Sequence, residues 1–258
     1  MLKTAKFGGS SVASAEQFKK VKEIISSDAS RRIVVSSAAG KRSGSDHKLT
    51  DLLYLCHAHL TYGVGCDDIL DTIENRFVEI RDALGIGYDV EKDFEDLRNG
   101  LSKDTPVDFL VSRGEYFTSR LLAEYLGYEF IDAFDCIFFG FDGQIDTERT
   151  YPAIKEVLER YERILIPGFY GRSPTGKVKV MSRGGSDISG ALAAAASDSD
   201  VYENWTDVSG ILMADPKIVS NPQPIAHLTY GELRELAFMG ASVLHEESIL
   251  PVKERAFR

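Results

Sequence analysis

An arginine, two adjacent glycines, a serine and an aspartate stand together in MSRGGSD (Met181 to Asp187), directly ahead of the alanine-rich run ISGALAAAA. Ser186 reads as an N-cap, which leaves the first N–H groups of a helix from Ile188 onward free to point at an anion. Arg183 adds a planar fork suited to a carboxylate or phosphate. Asp187 repels an anion, so its expected job is to orient a cation, either a lysine or a metal carried on a nucleotide. KFGGSS, beginning at Lys6, offers related chemistry: Gly8 and Gly9 let backbone N–H groups approach phosphate oxygens, and Lys6 supplies a mobile charge. The plainer reading there is a glycine turn with a surface lysine. SRGE (Ser112 to Glu115) puts a glycine inside a helical pattern, at roughly 1 kcal/mol against alanine. Either a ligand or another backbone approaches closely at that glycine, or SRGE is an exposed Arg–Glu pair. In NWTDVSGILMADPKIV, Thr206 and Asp207 follow a strand, and the carboxyl ends of strands are where α/β sheets bind ligands. Asp215-Pro216-Lys217 makes a second turn nearby.

Two apparent phosphate motifs fail on context. GRSPTGKV satisfies GxxxxGK, but valine stands where the magnesium-binding hydroxyl belongs, and KVKVMS alternates like a strand. RILIPGFYG and GKVKVMS read instead as the arms of a hairpin. GVGCDD lacks the third glycine of a dinucleotide fingerprint and follows a helix, so it is a loop. His57 and His59, two apart on a helix, face different ways and make a poor metal pair. Phe138, Phe139 and Phe141 read as core or strand-end packing, and Asp67, Asp68 and Asp71 as a solvated first helical turn. His245-Glu246-Glu247 reads as surface. No metal site is expected from protein residues alone.

The elements that must position these residues alternate in type. Leu2 to Phe7 and RRIVVS are strands; Ser14 and Gln17 form a capping box ahead of Phe18, Val21, Ile24 and Ile25. KLTDLLYLCHAHL, DDILDTIENRFVEIRDALG and DFLVSRGEYFTSRLLAEYLG are helices, the second stopped by Gly85. EFIDAFD is a strand, Pro152 suits the first turn of YPAIKEVLERYE, and RILIPGFYG and DVYEN are strands. Thr229 and Glu232 make a second capping box. This order implies a three-layer αβα sandwich with a mainly parallel central sheet. With 258 residues, 43% hydrophobic and 27% charged, the chain is an ordinary globule. Its net charge of −10 excludes a general nucleic-acid or anionic-membrane surface, so an anionic ligand needs locally placed cations. No apolar run approaches about 18 residues, and MLKTAKFGG is no signal peptide. Cys56, Cys66 and Cys136 lack zinc or CxxC spacing, so reduced thiols in the cytoplasm are expected.

KFGGSSV, SRGE, SRGGSD, WTDVSGI, ADPK and MGASVLH occur in the order found in the aspartate kinases of the amino acid kinase superfamily, which the chain resembles over nearly its whole length. The resemblance implies ATP-dependent phosphorylation of the side-chain carboxylate of L-aspartate to 4-phospho-L-aspartate, with Mg2+ on the nucleotide, at the head of lysine, threonine and methionine biosynthesis. It further implies an amino-acid-binding lobe over about 1–165 and a nucleotide-binding lobe over about 166–258. By the same resemblance, Lys6 bridges the transferring phosphoryl group and Asp187 holds Lys6. Arg183 and Glu115 grip the amino acid's carboxylate and ammonium, with Ser37 and Thr50 completing that pocket. Phe7, Gly8, Gly9, Ser10, Gly185, Ser186, Thr206, Asp207, Leu212 and Lys217 fall to ATP. Leu212, Lys217 and Ser242 depart from the tyrosine, arginine and lysine usual in the family. Family members continue into ACT regulatory domains, whereas seven residues follow Pro251 here, so the expectation is a catalytic unit without an ACT domain, pairing if at all through the kinase domain. A sibling kinase for glutamate, acetylglutamate, carbamate or UMP, or a fragment that binds but does not turn over, are the alternatives.

Overall fold

In the computed structural model the described residues are 1–182, 184–207, 210–214 and 218–238. Their strands are β1 (Lys3–Phe7), β2 (Arg31–Ser36), β3 (Glu129–Phe130), β4 (Ile164–Pro167), β5 (Tyr170–Arg172), β6 (Val178–Val180) and β7 (Val201–Trp205). The helices are α1 (Ala15–Ser26), α2 (Leu49–Thr61), α3 (Asp67–Leu84), α4 (Val90–Gly100), α5 (Val107–Leu126), α6 (Ala133–Cys136), α7 (Thr147–Arg160), α8 (Gly185–Ala196) and α9 (Tyr230–Phe238). A 3-10 turn spans Gly9–Val12.

Five strands form one sheet in the order β3-β4-β2-β1-β7, and every pairing in it is parallel. Side chains alternate across it, as a pleated strand demands. Ala5, Phe7, Val34 and Leu165 enter the core built with α1 to α5. Ile33, Val35, Ile164 and Ile166 enter the core built with α6, α7 and α8. Two apolar faces need two helical layers, which makes the three-layer sandwich. The four alanines Ala193 to Ala196 are fully buried and let α8 lie close on the sheet.

The local signals act through identifiable bonds. The Ser14 hydroxyl accepts the Gln17 N–H at 3.4 Å, and Gly85 closes α3 in the left-handed region at φ 65°. Thr229 and Glu232 exchange both capping bonds, at 2.8 and 3.2 Å. β5 and β6 form the antiparallel hairpin that excludes a P-loop. His57 and His59 each bond a backbone carbonyl, of Thr105 and Gly65. Burial pushes the Cys56 and Cys136 thiols far up, so both stay protonated.

Three expectations are corrected and one helix is added. EFIDAFD is strand only at Glu129–Phe130, because the Asp132 carboxylate accepts the Phe134 N–H and starts α6. Pro152 lies inside α7, which begins five residues earlier under Asp146. Phe141 is 94% exposed at a loop tip and packs nothing, unlike the buried Phe139. α4 was not expected, although Asp89 caps it through the Lys92 N–H and Val90, Phe94 and Leu97 repeat at helical spacing.

Candidate active site

The register brings four strand ends level: Phe7 pairs with Ser36 and with Trp205, and Ser36 with Pro167. The loops leaving them carry Gly8 to Ser10, Ser37 to Gly40, Gly168-Phe169 and Thr206-Asp207. In a parallel sheet this carboxyl edge is where ligands bind.

Alternation decides where the lysine points. Ala5 and Phe7 face the α1–α5 core, so Lys6 between them projects toward α8. There Lys6 Nζ meets Asp187 Oδ1 at 2.6 Å, and Lys6 is only 7% exposed, which rules out the plainer reading of a surface lysine. Asn204, the register partner of Lys6 on β7, donates Nδ2 to the same oxygen at 3.1 Å, while its own Oδ1 is buried without a hydrogen-bond partner. The Tyr202 hydroxyl donates to the Asp187 carbonyl at 3.2 Å, and burial raises its pKa well above the usual phenol value. A charge pair this enclosed persists only when its bonds are satisfied.

The glycine turn lies alongside. The Gly8 N–H donates to the Trp205 carbonyl at 3.0 Å, so it is already engaged. The first bond of the 3-10 turn runs from Ser11 N–H to the Gly8 carbonyl, leaving the Gly9 and Ser10 N–H groups ahead of it. A Cβ on Gly9 would stand 2.8 Å from the Ala38 carbonyl oxygen, so the close approach itself requires glycine. The Phe7 ring is fully buried and stacked on Trp205, with centroids 6.2 Å apart.

α8 begins at Gly185, not at Ile188. Its N-cap is Gly184 at φ 61°, with no side-chain cap, and Ser186 is a helical residue packed on Gly168. The left-handed backbone that glycine tolerates does the capping instead of the serine. Phe169, a non-glycine residue at φ 80°, is held there by the Ser189 hydroxyl on its N–H (3.0 Å) and the Met181 N–H on its carbonyl (2.8 Å). Such strained backbone clusters at functional sites.

SRGE is not an exposed pair. Arg113 is 9% and Glu115 5% exposed, and a Cβ on Gly114 would lie 3.1 Å from the Ala38 Cβ, so the close partner is the Ser37–Gly40 loop. Arg113 stacks on the rings of Tyr116 and Phe109, at 4.3 and 4.7 Å. Burial pushes the Glu115 carboxyl up to about 8, against backbone hydrogen bonds from Ala38 and from its own N–H and the nearby Arg113 charge, and Glu115 Oε2 has no hydrogen-bond partner. Ala38 thus touches both the glycine turn and Glu115.

The Ser37 N–H donates to the Phe7 carbonyl at 3.1 Å, which puts Ser37 on this edge, and Thr50 stands in the first turn of α2. Thr206 and Asp207 are exposed just past β7 and share a 3.1 Å bond. Leu212 forms an antiparallel bridge with Pro224. Arg183, Lys217, Ser242 and His245 to Glu247 lie outside the described residues. Sequence reasoning missed Asn204, Trp205, Phe169 and Gly40. Asn204 stands inside NWTD, but its pairing with Lys6 is a matter of register.

A buried lysine–aspartate pair thus lies beside a glycine turn, at the carboxyl edge of a parallel sheet under an alanine-packed helix. The chain belongs to the amino acid kinase family, whose model matches residues 1–256. It is similar to aspartokinase 3 of Bacillus subtilis (strain 168), 35% identical over an alignment of 264 positions that covers 97% of this chain and 58% of the relative. Among solved structures, the aspartate kinase of Clostridium acetobutylicum superposes with a TM-score of 0.93 at 48% identity, covering 99% of this chain and 58% of that one. Aspartokinase III of Escherichia coli, in complex with aspartate and ADP, superposes with a TM-score of 0.85 at 28% identity, covering all of this chain and 60% of that one. The chain thus spans under two thirds of the length of each of these relatives.

Proposed function

We propose that this chain is the catalytic unit of an aspartate kinase, transferring the γ-phosphoryl group of ATP to the side-chain carboxylate of L-aspartate. The observation that carries this reading is Glu115, a buried carboxyl beside the glycine turn whose Oε2 has no hydrogen-bond partner. An amino acid's ammonium is its natural complement, and the relatives named above point to the same substrate.

The nucleophile is ionised near neutral pH, so no general base is needed, and the barrier is the approach of one anion to another. Lys6 neutralises charge building on the transferring group; Asp187 holds its ammonium in place, and Asn204 donates to the same Asp187 oxygen. The N–H groups of Gly9 and Ser10 donate to the phosphoryl oxygens, together with the Gly185–Ser186 start of α8. Arg183 takes the substrate's α-carboxylate and Glu115 its ammonium, with Ser37 and Thr50 beside them. Thr206, Asp207, Leu212 and Lys217 serve the nucleotide. On this reading residues up to about 165 form the amino-acid side and those from 166 the nucleotide side; that border falls within β4, so the two share one sheet.

Mg2+ accompanies the nucleotide in this reading and shields its phosphate charge. Among the described residues no group of three or more His, Cys, Asp or Glu side chains could hold a metal. Asp187 Oδ2, outside both bonds to Oδ1, and the exposed Asp207 carboxylate are the oxygens at hand. They fit an ion that keeps its water and takes most remaining ligands from phosphate. No helix among the described residues is long and apolar enough to cross a membrane, and a cytoplasmic enzyme fits this chemistry.

An ADP-release assay with ATP, Mg2+ and L-aspartate, L-glutamate, N-acetyl-L-glutamate, carbamate or UMP tests the reading. ADP should form with L-aspartate alone, together with a hydroxylamine-trappable acyl phosphate. Turnover only with another acceptor, or none with any, overturns it.

A further inference from the structure

Arg76 on α3 is a buried guanidinium, 3% exposed, with no place in the chemistry above. It donates Nη1 to the His47 carbonyl at 3.1 Å and Nη2 to the Gly40 carbonyl, and lies 3.6 Å from Asp46. His47 and Gly40 bracket the loop between β2 and α2, so one side chain ties down both of its ends. Nε of Arg76 has no hydrogen-bond partner. Burial lowers the Arg76 pKa, with Asp46 opposing that shift and Arg42 adding to it.

Gly40 is the residue that touches the glycine turn. Its N–H donates to the Gly9 carbonyl at 2.7 Å, and a Cβ on Gly40 would lie 2.7 Å from that oxygen and 2.8 Å from Ser10 N. The Gly9 carbonyl and the Ser10 N–H belong to one planar trans peptide and point in opposite directions. A bond that fixes the first therefore aims the second. Arg76 holds the Gly40 carbonyl and Gly40 holds the Gly9 carbonyl, so the relay runs from α3 to the donor offered to phosphate.

We propose that Arg76 is a positioning residue for phosphoryl transfer, which orients the Gly9–Ser10 peptide through Gly40 without touching the reactants. The kinetic part rests on the kinase reading above; the orientation of the peptide does not. Arg42, on the same loop, pairs with Asp46 and Glu79 at the surface and reaches no carbonyl of Gly40, so it serves as the control.

The test uses the whole chain with Arg76→Lys, which keeps the charge but loses the two-pronged fork. Arg76→Gln, which removes the buried charge and keeps one donor pair, replaces it if the lysine variant does not fold. Amide hydrogen exchange should rise about tenfold in peptides covering residues 8–12 and 37–41, with the β2 and α8 peptides unchanged. kcat should fall roughly 30-fold with KM for L-aspartate within about threefold, the signature of misplacement rather than lost substrate binding. Arg42→Ala should change kcat less than about threefold. Exchange that rises uniformly, a folded variant with normal exchange at 8–12, an equal loss in Arg42→Ala, or failure of both Arg76 variants to fold would each assign Arg76 to stability alone and overturn the proposal. If the unaltered chain phosphorylates no acceptor, the kinase reading fails while the exchange experiment still decides the orientation claim.

Discussion

Glu115→Gln separates what Glu115 does for the fold from what it does for a ligand. In the free protein burial holds this carboxyl at about 8, whereas an ordinary glutamate titrates at 4.5. A raised acid pKa means that the folded state keeps its proton after the unfolded chain has lost it. Stability is therefore unaffected below about 4.5, declines as pH rises between the two values, and levels off above about 8. Each tenfold step in that window is worth roughly 1.4 kcal/mol, which makes the loss between pH 5 and 8.5 on the order of 4 kcal/mol. Glutamine has no charge to desolvate, so Glu115→Gln should lack this slope and be the more stable protein at pH 8.5. The assay is urea unfolding of both proteins at pH 5, 7 and 8.5, compared at constant m-value. Binding should show the converse. L-Aspartate's ammonium favours the ionised carboxylate, so binding at pH 7 should release close to one proton, visible as a buffer-dependent enthalpy in calorimetry, and Glu115→Gln should release none. The variant should also lose about 2–4 kcal/mol in kcat/KM for L-aspartate. Identical pH slopes in the two proteins would refute the burial argument, and normal L-aspartate kinetics would refute the ligand role.

Lys6→Ala removes the cation held 2.6 Å from Asp187, and should lower kcat by about 100-fold or more while ATP binding stays comparatively intact; a near-normal kcat with only a raised KM for ATP would remove Lys6 from the reaction. Arg183→Ala should cost about 2–4 kcal/mol in kcat/KM for L-aspartate, and unchanged kinetics would move the carboxylate site elsewhere. Gly9→Ala puts a methyl 2.8 Å from the Ala38 carbonyl oxygen, and should destabilise by about 1–3 kcal/mol and depress activity; thermal unfolding and turnover equal to the unaltered chain would show that the two loops are not in rigid contact.

What the sequence by itself determined follows from near-neighbour physics. Helix ends were legible at Ser14, Gly85 and Thr229 because caps act within four residues. The hairpin around Thr175 was legible in the alternation of KVKVMS, but RILIPGFYG, read as one strand, divides into β4 in the main sheet and β5 in the hairpin. The sandwich was legible because strand–helix alternation leaves few other ways to cover two apolar faces. MSRGGSD and KFGGSS raised the expectation of an anion site, since glycine, arginine and lysine near a helix start suit one. Only the tertiary structure decided how these charges are paired. That Lys6 faces Asp187 depends on which side of β1 meets α8, and that Asn204 stands beside it depends on the register with β7. The burial of Glu115 and Arg113 was hidden because an Arg–Glu pair on a helix has the same local sequence whether water or a loop covers it. Ser186 was misread as a cap because a left-handed glycine one residue ahead of the helix ends the turn without it. The pairing and the burial turn on contacts between residues far apart in the chain, and the cap on a backbone angle, and short-range patterns carry no record of either.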